Sequence, residues 1–286
     1  MNADAWNLTR GERERLASML LRPKYELIPL KNVMDQISYL PEGAIVTVTA
    51  SPAKGMKATV ELAVVVADHG FEVIPHLSAR LTKDQAELEW ILSEIADTGI
   101  TEAFVVGGDE EEAGAFPDGL SLLAAMEEIG HPFERIGVPG YPEGHPFISD
   151  ELLQQALEAK THYASSITTQ MCFDDEALRD WIGGQRGLGI ELPVYLGIPG
   201  VAEVRKLFGI AARIGVGDSR RFLSANMGLL GRLVRPGGYA PDELLASLAG
   251  TWTDPVAKVA GLHIYTFNQV ETTERWRNQF LAELES

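Results

Sequence analysis

The sequence predicts a single-domain (β/α)8 barrel, and three observations carry that reading. Short apolar or β-branched runs recur about every 20–35 residues, helical patterns lie between them, and no Pro- or Ser-rich linker divides the 286 residues. Parallel strands need long crossovers, and eight βα units in roughly 250 residues is the usual length of a closed barrel of the TIM type. A doubly wound open sheet is the competing arrangement.

The elements follow in order. Residues 8–19 are amphipathic, with Leu8, Leu16 and Leu20 spaced among charges, and predict a leading helix. YELIPL (25–30) is a short apolar strand carrying one acid, Glu26. AIVTVTA (44–50) is β-branched and strand-like, and the helix over 54–68 stops at Gly70. FEVIPHL (71–77) reads as strand, 82–97 as helix, EAFVV (102–106) as strand and 119–129 as helix. Strands at 135–138, 166–172 and 194–198 alternate with helices at 149–163, 175–187 and 201–214. Further helices at 219–233 and 241–257 make the last spacing long, so an extra helical insertion precedes the final strand, 262–267. A helix over 270–284 closes the chain.

Composition excludes several classes. Lys and Arg number 24 against 41 Asp and Glu, a net charge of −17, which argues against a nucleic-acid or anionic-membrane partner. No apolar run approaches a membrane span, and the N-terminus lacks the basic–apolar–small order of a secretion signal. Cys172 is the only cysteine, so no internal disulfide forms and a reducing cytoplasm is expected. The six histidines do not fall at metal-ligand spacings, so no metal is expected. GGQRGLG (183–189) follows a helix rather than a strand, which argues against a dinucleotide fingerprint there and leaves NADH and NADPH undistinguished. Nothing in the chain speaks to oligomeric state.

Polar residues at strand ends remain. In a barrel, Glu26, Thr49, His76, Asp109, Tyr141, Gln170 and the 263–268 region approach one face, the face on which barrel enzymes work. Glu26 in an apolar run would have a raised pKa and serve as a proton donor; an acid satisfied by neighbouring Lys24 or by a backbone N–H is the plain alternative. Asp109 follows the apolar 103–106 run and two glycines, and serves either a ligand or the next turn. His76 and Gln170 read equally as packed core polar groups, and PGYPEGHP (139–146), with Tyr141 and His145, as a stiff turn.

Taken in order, these segments resemble the methylenetetrahydrofolate reductase family, single-domain bacterial type, over about residues 25–268. YELIPLK is similar to FEFFPPK, VTVTASPAKG to VSVTYGANSG, IPHLSAR to PHLTC and VVGGD to LRGD. GYPEGHP is similar to AYPEVHP, TTQMCFD to ITQFFFD and LHIYTFN to FHFYTLN. The resemblance implies reduction of 5,10-methylenetetrahydrofolate to 5-methyltetrahydrofolate by a reduced nicotinamide. It implies Glu26 as catalytic acid, and Asp109, Gln170 and Phe173 as folate-binding. It also implies Thr49, His76, Gly107, Tyr141 and His145 around the cofactor. Lys54, Lys57 and Arg80 are candidate partners for the folate tail. Two departures bear on the cofactor: the arginine of LRGD is Gly107, and the helix before the glutamine strand, ELLQQALEAKTHYA, keeps only Lys160. Cations lost from a diphosphate site weaken it strongly. A flavin-independent branch using NADH or NADPH directly is therefore expected, with FAD dependence as the alternative and a non-catalytic folate-binding barrel as a third reading.

Overall fold

The computed structural model describes residues 7–145, 147–201 and 241–285. Its strands are β1 (Lys24–Leu27), β2 (Ile45–Val48), β3 (Glu72–Ser78), β4 (Glu102–Val106), β5 (Arg135–Gly140), β6 (Ser166–Thr169), β7 (Val194–Pro199) and β8 (Val259–Tyr265). They pair in chain order, every pair is parallel, and β8 closes on β1. The chain is a (β/α)8 TIM barrel, and the open-sheet alternative falls.

Outside the strands lie α1 (Arg10–Leu21), α2 (Val33–Ile37), α3 (Gly55–Asp68), α4 (Gln85–Ala96), α5 (Gly119–Ile129), α6 (Asp150–Lys160) and α7 (Asp175–Gly187). Two short helices, α8 (Asp242–Ser247) and α9 (Ala249–Thr253), precede β8, and α10 (Val270–Leu284) follows it. The start of α1 is fixed by a capping box: Thr9 Oγ1 accepts from the Glu12 N–H, while Glu12 accepts from the Thr9 N–H. Asp84, Asp118, Ser149 and Asp174 cap four later helices in the same way, each side chain accepting from a first-turn N–H.

Alternation along each strand divides its side chains between two environments. Tyr25, Leu27, Val46 and Val48 point outward and are fully buried under the helices. The register gathers the other set inside: Glu26 lies beside Thr47 and Tyr265, His76 beside Phe104, and His263 beside both Lys24 and Gly197. The closing seam is tied from outside. The Tyr25 hydroxyl donates to Glu274 Oε1 at 2.6 Å, and Arg277 grips Glu274 through two 2.7 Å bonds while donating to the Leu20 carbonyl. A buried ion pair holds only when its remaining hydrogen bonds are met, and this one also fastens α1 and α10 to β1.

Several boundaries differ from expectation. The strand foreseen at 166–172 ends at Thr169, because the Thr169 hydroxyl accepts from the Gly197 N–H at 2.8 Å and the Tyr265 hydroxyl donates to its carbonyl at 3.1 Å. The last strand begins and ends earlier than 262–267, and the helix foreseen over 241–257 is split into α8 and α9. Helix α2 was not foreseen. The helices expected at 201–214 and 219–233 fall, apart from Val201, outside the described residues. Among the described residues, no helix is long and apolar enough to cross a membrane.

Candidate active site

The carboxyl ends of the strands open into a cavity of about 280 Å³. Glu26, Thr49, His76, Asp109, Tyr141 and Gln170 line it, each from a different strand or strand end. Phe104, Met171, Phe173 and Phe267 supply apolar walls. Gly107 and His145 do not line it.

Glu26 is the most perturbed acid of this wall. Its neighbour two residues back, Lys24, does not neutralise it: the Lys24 ammonium lies 2.5 Å from Glu102 Oε1 and 3.8 Å above the Tyr195 ring. Pairing of Glu26 with Lys24 is thereby removed. Burial pushes the Glu26 carboxyl up to about 7, with the nearby His76 ring acting the other way. Its hydrogen-bonding neighbour is His263, whose Nε2 stands 3.5 Å from Oε2. Burial lowers both histidines, His76 to about 4 and His263 to about 3, so both are neutral imidazoles at pH 7; the Lys24 charge contributes to each shift. His76 packs its ring against Phe104 at 4.7 Å.

The backbone that carries Glu26 is locked by the segment after β8. Thr266 Oγ1 donates to the Glu26 carbonyl at 2.5 Å. Asn268 completes the seam with its side-chain amide, accepting from the Ile28 N–H and donating to the Ile28 carbonyl, both at 2.8 Å. To reach that position the chain passes through two successive left-handed residues, Phe267 at φ 52° and Asn268 at φ 51°. Asparagine tolerates this region and phenylalanine does not. The strain places Phe267 against Met171 and Tyr265 at the cavity wall. Sequence reasoning singled out this region only as a block; Tyr265, Phe267 and the Asn268 clamp were not identified individually, and the LHIYTFN motif was the signal for them.

Across the cavity, Asp109 lies on the loop after β4, with its side chain 81% exposed and Oδ1 3.8 Å from His145 Nε2. His145 in turn meets Tyr141 edge-on at 5.6 Å, and burial together with the Asp109 charge pushes the Tyr141 phenol up to about 12. Gln170 is exposed just beyond β6, its N–H bonded to the Gly140 carbonyl at 2.7 Å. Thr49 is held at the end of β2 by its N–H, which donates to the Leu27 carbonyl at 2.9 Å.

The loop after β4 is stitched to the turn after β3. The Arg80 guanidinium donates to the carbonyls of Glu110, Glu111 and Pro117, and the Arg80 N–H to that of Gly107. Arg80 is therefore a structural clasp rather than a free partner for an anionic tail, and Lys57 lies 3.7 Å from Glu61 on the exposed side of α3. Gly108 has φ +90°, and a Cβ there would stand 2.3 Å from Ser78 Oγ. Gly107 is different: a Cβ would meet only the Gly119 N, at 4.0 Å. No lysine or arginine occurs among the described residues that line the cavity. Lys160, at the end of α6, is buried beside Gly119 and lowered to about 8 by that burial.

A family model for methylenetetrahydrofolate reductase matches residues 22–216, more than half of the chain; the LHIYTFN segment lies beyond the match. Among solved structures, a protein from Clostridium thermocellum described as binding two copies of 5-methyl-5,6,7,8-tetrahydrofolic acid superposes with a TM-score of 0.61 at 12% identity, covering 93% of this chain and 98% of that one. An oxaloacetate acetylhydrolase in complex with 3,3-difluorooxalacetate gives a TM-score of 0.46 at 9% identity, over 98% of this chain and 88% of that one. At such identities the first likeness shows the barrel alone, and the second carries no argument.

Proposed function

Since the chain belongs to the methylenetetrahydrofolate reductase family, we propose that it reduces 5,10-methylenetetrahydrofolate to 5-methyltetrahydrofolate, taking the hydride directly from NADH or NADPH. The observation that carries this reading is Glu26: an acid in the cavity wall, unpaired by Lys24 and with a pKa of about 7. A carboxyl in that state is half protonated at neutral pH and is a competent proton donor.

In the proposed reaction Glu26 protonates N10 of the imidazolidine ring. The bond from N10 to the bridging carbon breaks, leaving an N5 iminium. The hydride of the reduced nicotinamide adds to that carbon, giving the N5-methyl group and the oxidised nicotinamide. Asp109 and Gln170 hold the hydrogen-bonding edge of the pterin, with Phe173 against its ring. Thr49, His76 and Tyr141 surround the hydride donor, and His145 supports Tyr141 from outside the wall. The solved neighbour described as binding 5-methyltetrahydrofolic acid, the product of this reaction, supports the ligand class.

The described residues argue against a flavin. The position of the family's arginine is Gly107, Lys160 is buried away from the cavity, and the described cavity wall has no cation for a diphosphate. Direct transfer needs no flavin, because a nicotinamide already donates two electrons as hydride. The test is purified protein with NADH or NADPH and methylenetetrahydrofolate, without flavin, following nicotinamide oxidation and methyltetrahydrofolate formation. Turnover is expected. Turnover only after FAD is added, or protein purified with stoichiometric flavin, overturns direct transfer; folate binding without turnover under either condition makes the chain a binding barrel.

A further inference from the structure

Glu26 has two sides. One faces the cavity. The other faces the barrel interior, where it meets His263 from β8 at 3.5 Å, with Tyr265 beside it on the same strand and His76 opposite on β3. Below His263 lies Lys24, its register partner on β1, which points to the other end of the barrel and lines a second cleft with Glu102, Arg135 and Tyr195. The inner column thus runs from a charged floor, through a neutral ring, to the acid.

His263 is fixed in that column. It is 2% exposed, its ring packs against Tyr265 at 4.7 Å and lies 6.2 Å from the His76 ring. Its Nδ1 is buried with no hydrogen-bond partner, so Nε2, toward Glu26, is where the ring does its hydrogen bonding. A buried polar ring that satisfies only one of its nitrogens is costly to keep. The 3.5 Å separation is at the long end for a hydrogen bond, and catalytic contacts tighten when ligands fill a site.

We propose that His263 is a positioning residue for the reaction assigned above: its Nε2–H holds Oε2 of the ionised Glu26 carboxylate, orients the carboxyl toward the cavity and sets the pH at which it donates. This rests on Glu26 being the proton donor. Burial, with the Lys24 charge beneath adding to it, keeps the ring from taking a second proton and becoming a fixed counter-ion that would hold Glu26 ionised. Tyr265 stays a neutral phenol, so His263 is the group on β8 that can respond to the charge of Glu26.

The experiment uses the full chain with His263→Phe, which keeps the ring volume and removes the donor, and His263→Gln, which keeps a donor at similar reach. Activity falls as pH rises through the Glu26 pKa, because the acid must be protonated. Losing a donor to the carboxylate disfavours the ionised form, so His263→Phe should move that limb to higher pH by about one unit. It should also lower kcat by about tenfold or more, leaving the folate KM within about threefold. His263→Gln should return the limb toward the wild-type position. A limb that stays in place in His263→Phe, whatever happens to kcat, overturns the proposal. The same shift is readable without turnover, from the infrared carbonyl band of protonated Glu26 in the ligand-free protein, identified by its loss in Glu26→Gln. That readout separates the two ideas: an inactive wild type overturns the reductase reading, while an unmoved infrared midpoint overturns the role of His263. If His263→Phe does not fold, His263→Asn, too short to reach Oε2, replaces it with the same expected shift.

Discussion

Replacing Glu26 by Gln should remove activity and stabilise the protein, and both effects follow from the same burial. The amide has nearly the shape of the protonated carboxyl but has no acidic proton to give to N10, so kcat should fall by at least ~10²-fold, the low end for general acid catalysis, with folate affinity nearly unchanged. The stability effect has a definite sign. The Glu26 pKa is about 7 when folded against an ordinary 4.5, so the folded state binds the extra proton over that interval. Below about 4.5 wild type and variant should be equally stable. As pH rises through about 7 the wild type loses stability relative to the variant, because it must either bury a charge or hold a proton it would otherwise release. At about 1.4 kcal/mol per pH unit the full difference is ~3 kcal/mol by pH 8, or several degrees in Tm. Thermal or urea unfolding of the two proteins at pH 4.5 and pH 8 measures it. A variant less stable than wild type at pH 8 would refute the claim that Glu26 is buried at a cost to folding, and undisturbed turnover would remove it from the chemistry.

The other expectations concern the frame around that acid. Asn268→Ala removes both 2.8 Å bonds to Ile28 and should cost about 2 kcal/mol in urea unfolding, with a fall in kcat larger than any rise in KM. Gly108→Ala puts a Cβ 2.3 Å from Ser78 Oγ at φ +90°. It should destabilise by more than ~1 kcal/mol, whereas Ser78→Ala in the same background should recover part of the loss. Gly107→Arg, at a position with open space, should leave Tm within a few degrees and raise the affinity for FAD measured by fluorescence quenching. An unchanged FAD affinity would mean that Gly107 does not decide the cofactor.

The barrel was legible because its evidence is local: apolar runs, helical periods and glycine stops each sit within a dozen residues. Strand ends were less so. Residues 166–172 read as one strand because every residue to Cys172 suits one, yet the Thr169 hydroxyl takes over a ladder position and ends it. The site residues on strands, Glu26 and His76, were visible as polar interruptions of apolar segments. What surrounds them was not. Lys24 was the alternative partner for Glu26, two residues away on the same strand, but closure brings Glu102 from β4 within 2.5 Å of it instead. Arg80 was a candidate partner for an anionic tail, and only the path of the loop after β4 shows where its donors go. Such pairings depend on which strands the barrel sets opposite one another, and no single segment records that.

The Arg80 clasp has a consequence for how ligands arrive. By pinning carbonyls on both sides of the loop, it holds Asp109 and Glu110 at one edge of the mouth, with exposed Glu111 and Glu112 next in the chain and its own charge facing inward onto backbone oxygens. Four adjacent carboxylates on a chain of net charge −17 form a field that opposes anions within about one Debye length, ~8–10 Å in ordinary buffers. The glutamate tail of a folate and the diphosphate of a nicotinamide nucleotide are both anions, so encounter on that edge is slowed. Added salt should therefore speed their association, the reverse of its effect on enzymes that draw anionic ligands in with a basic rim.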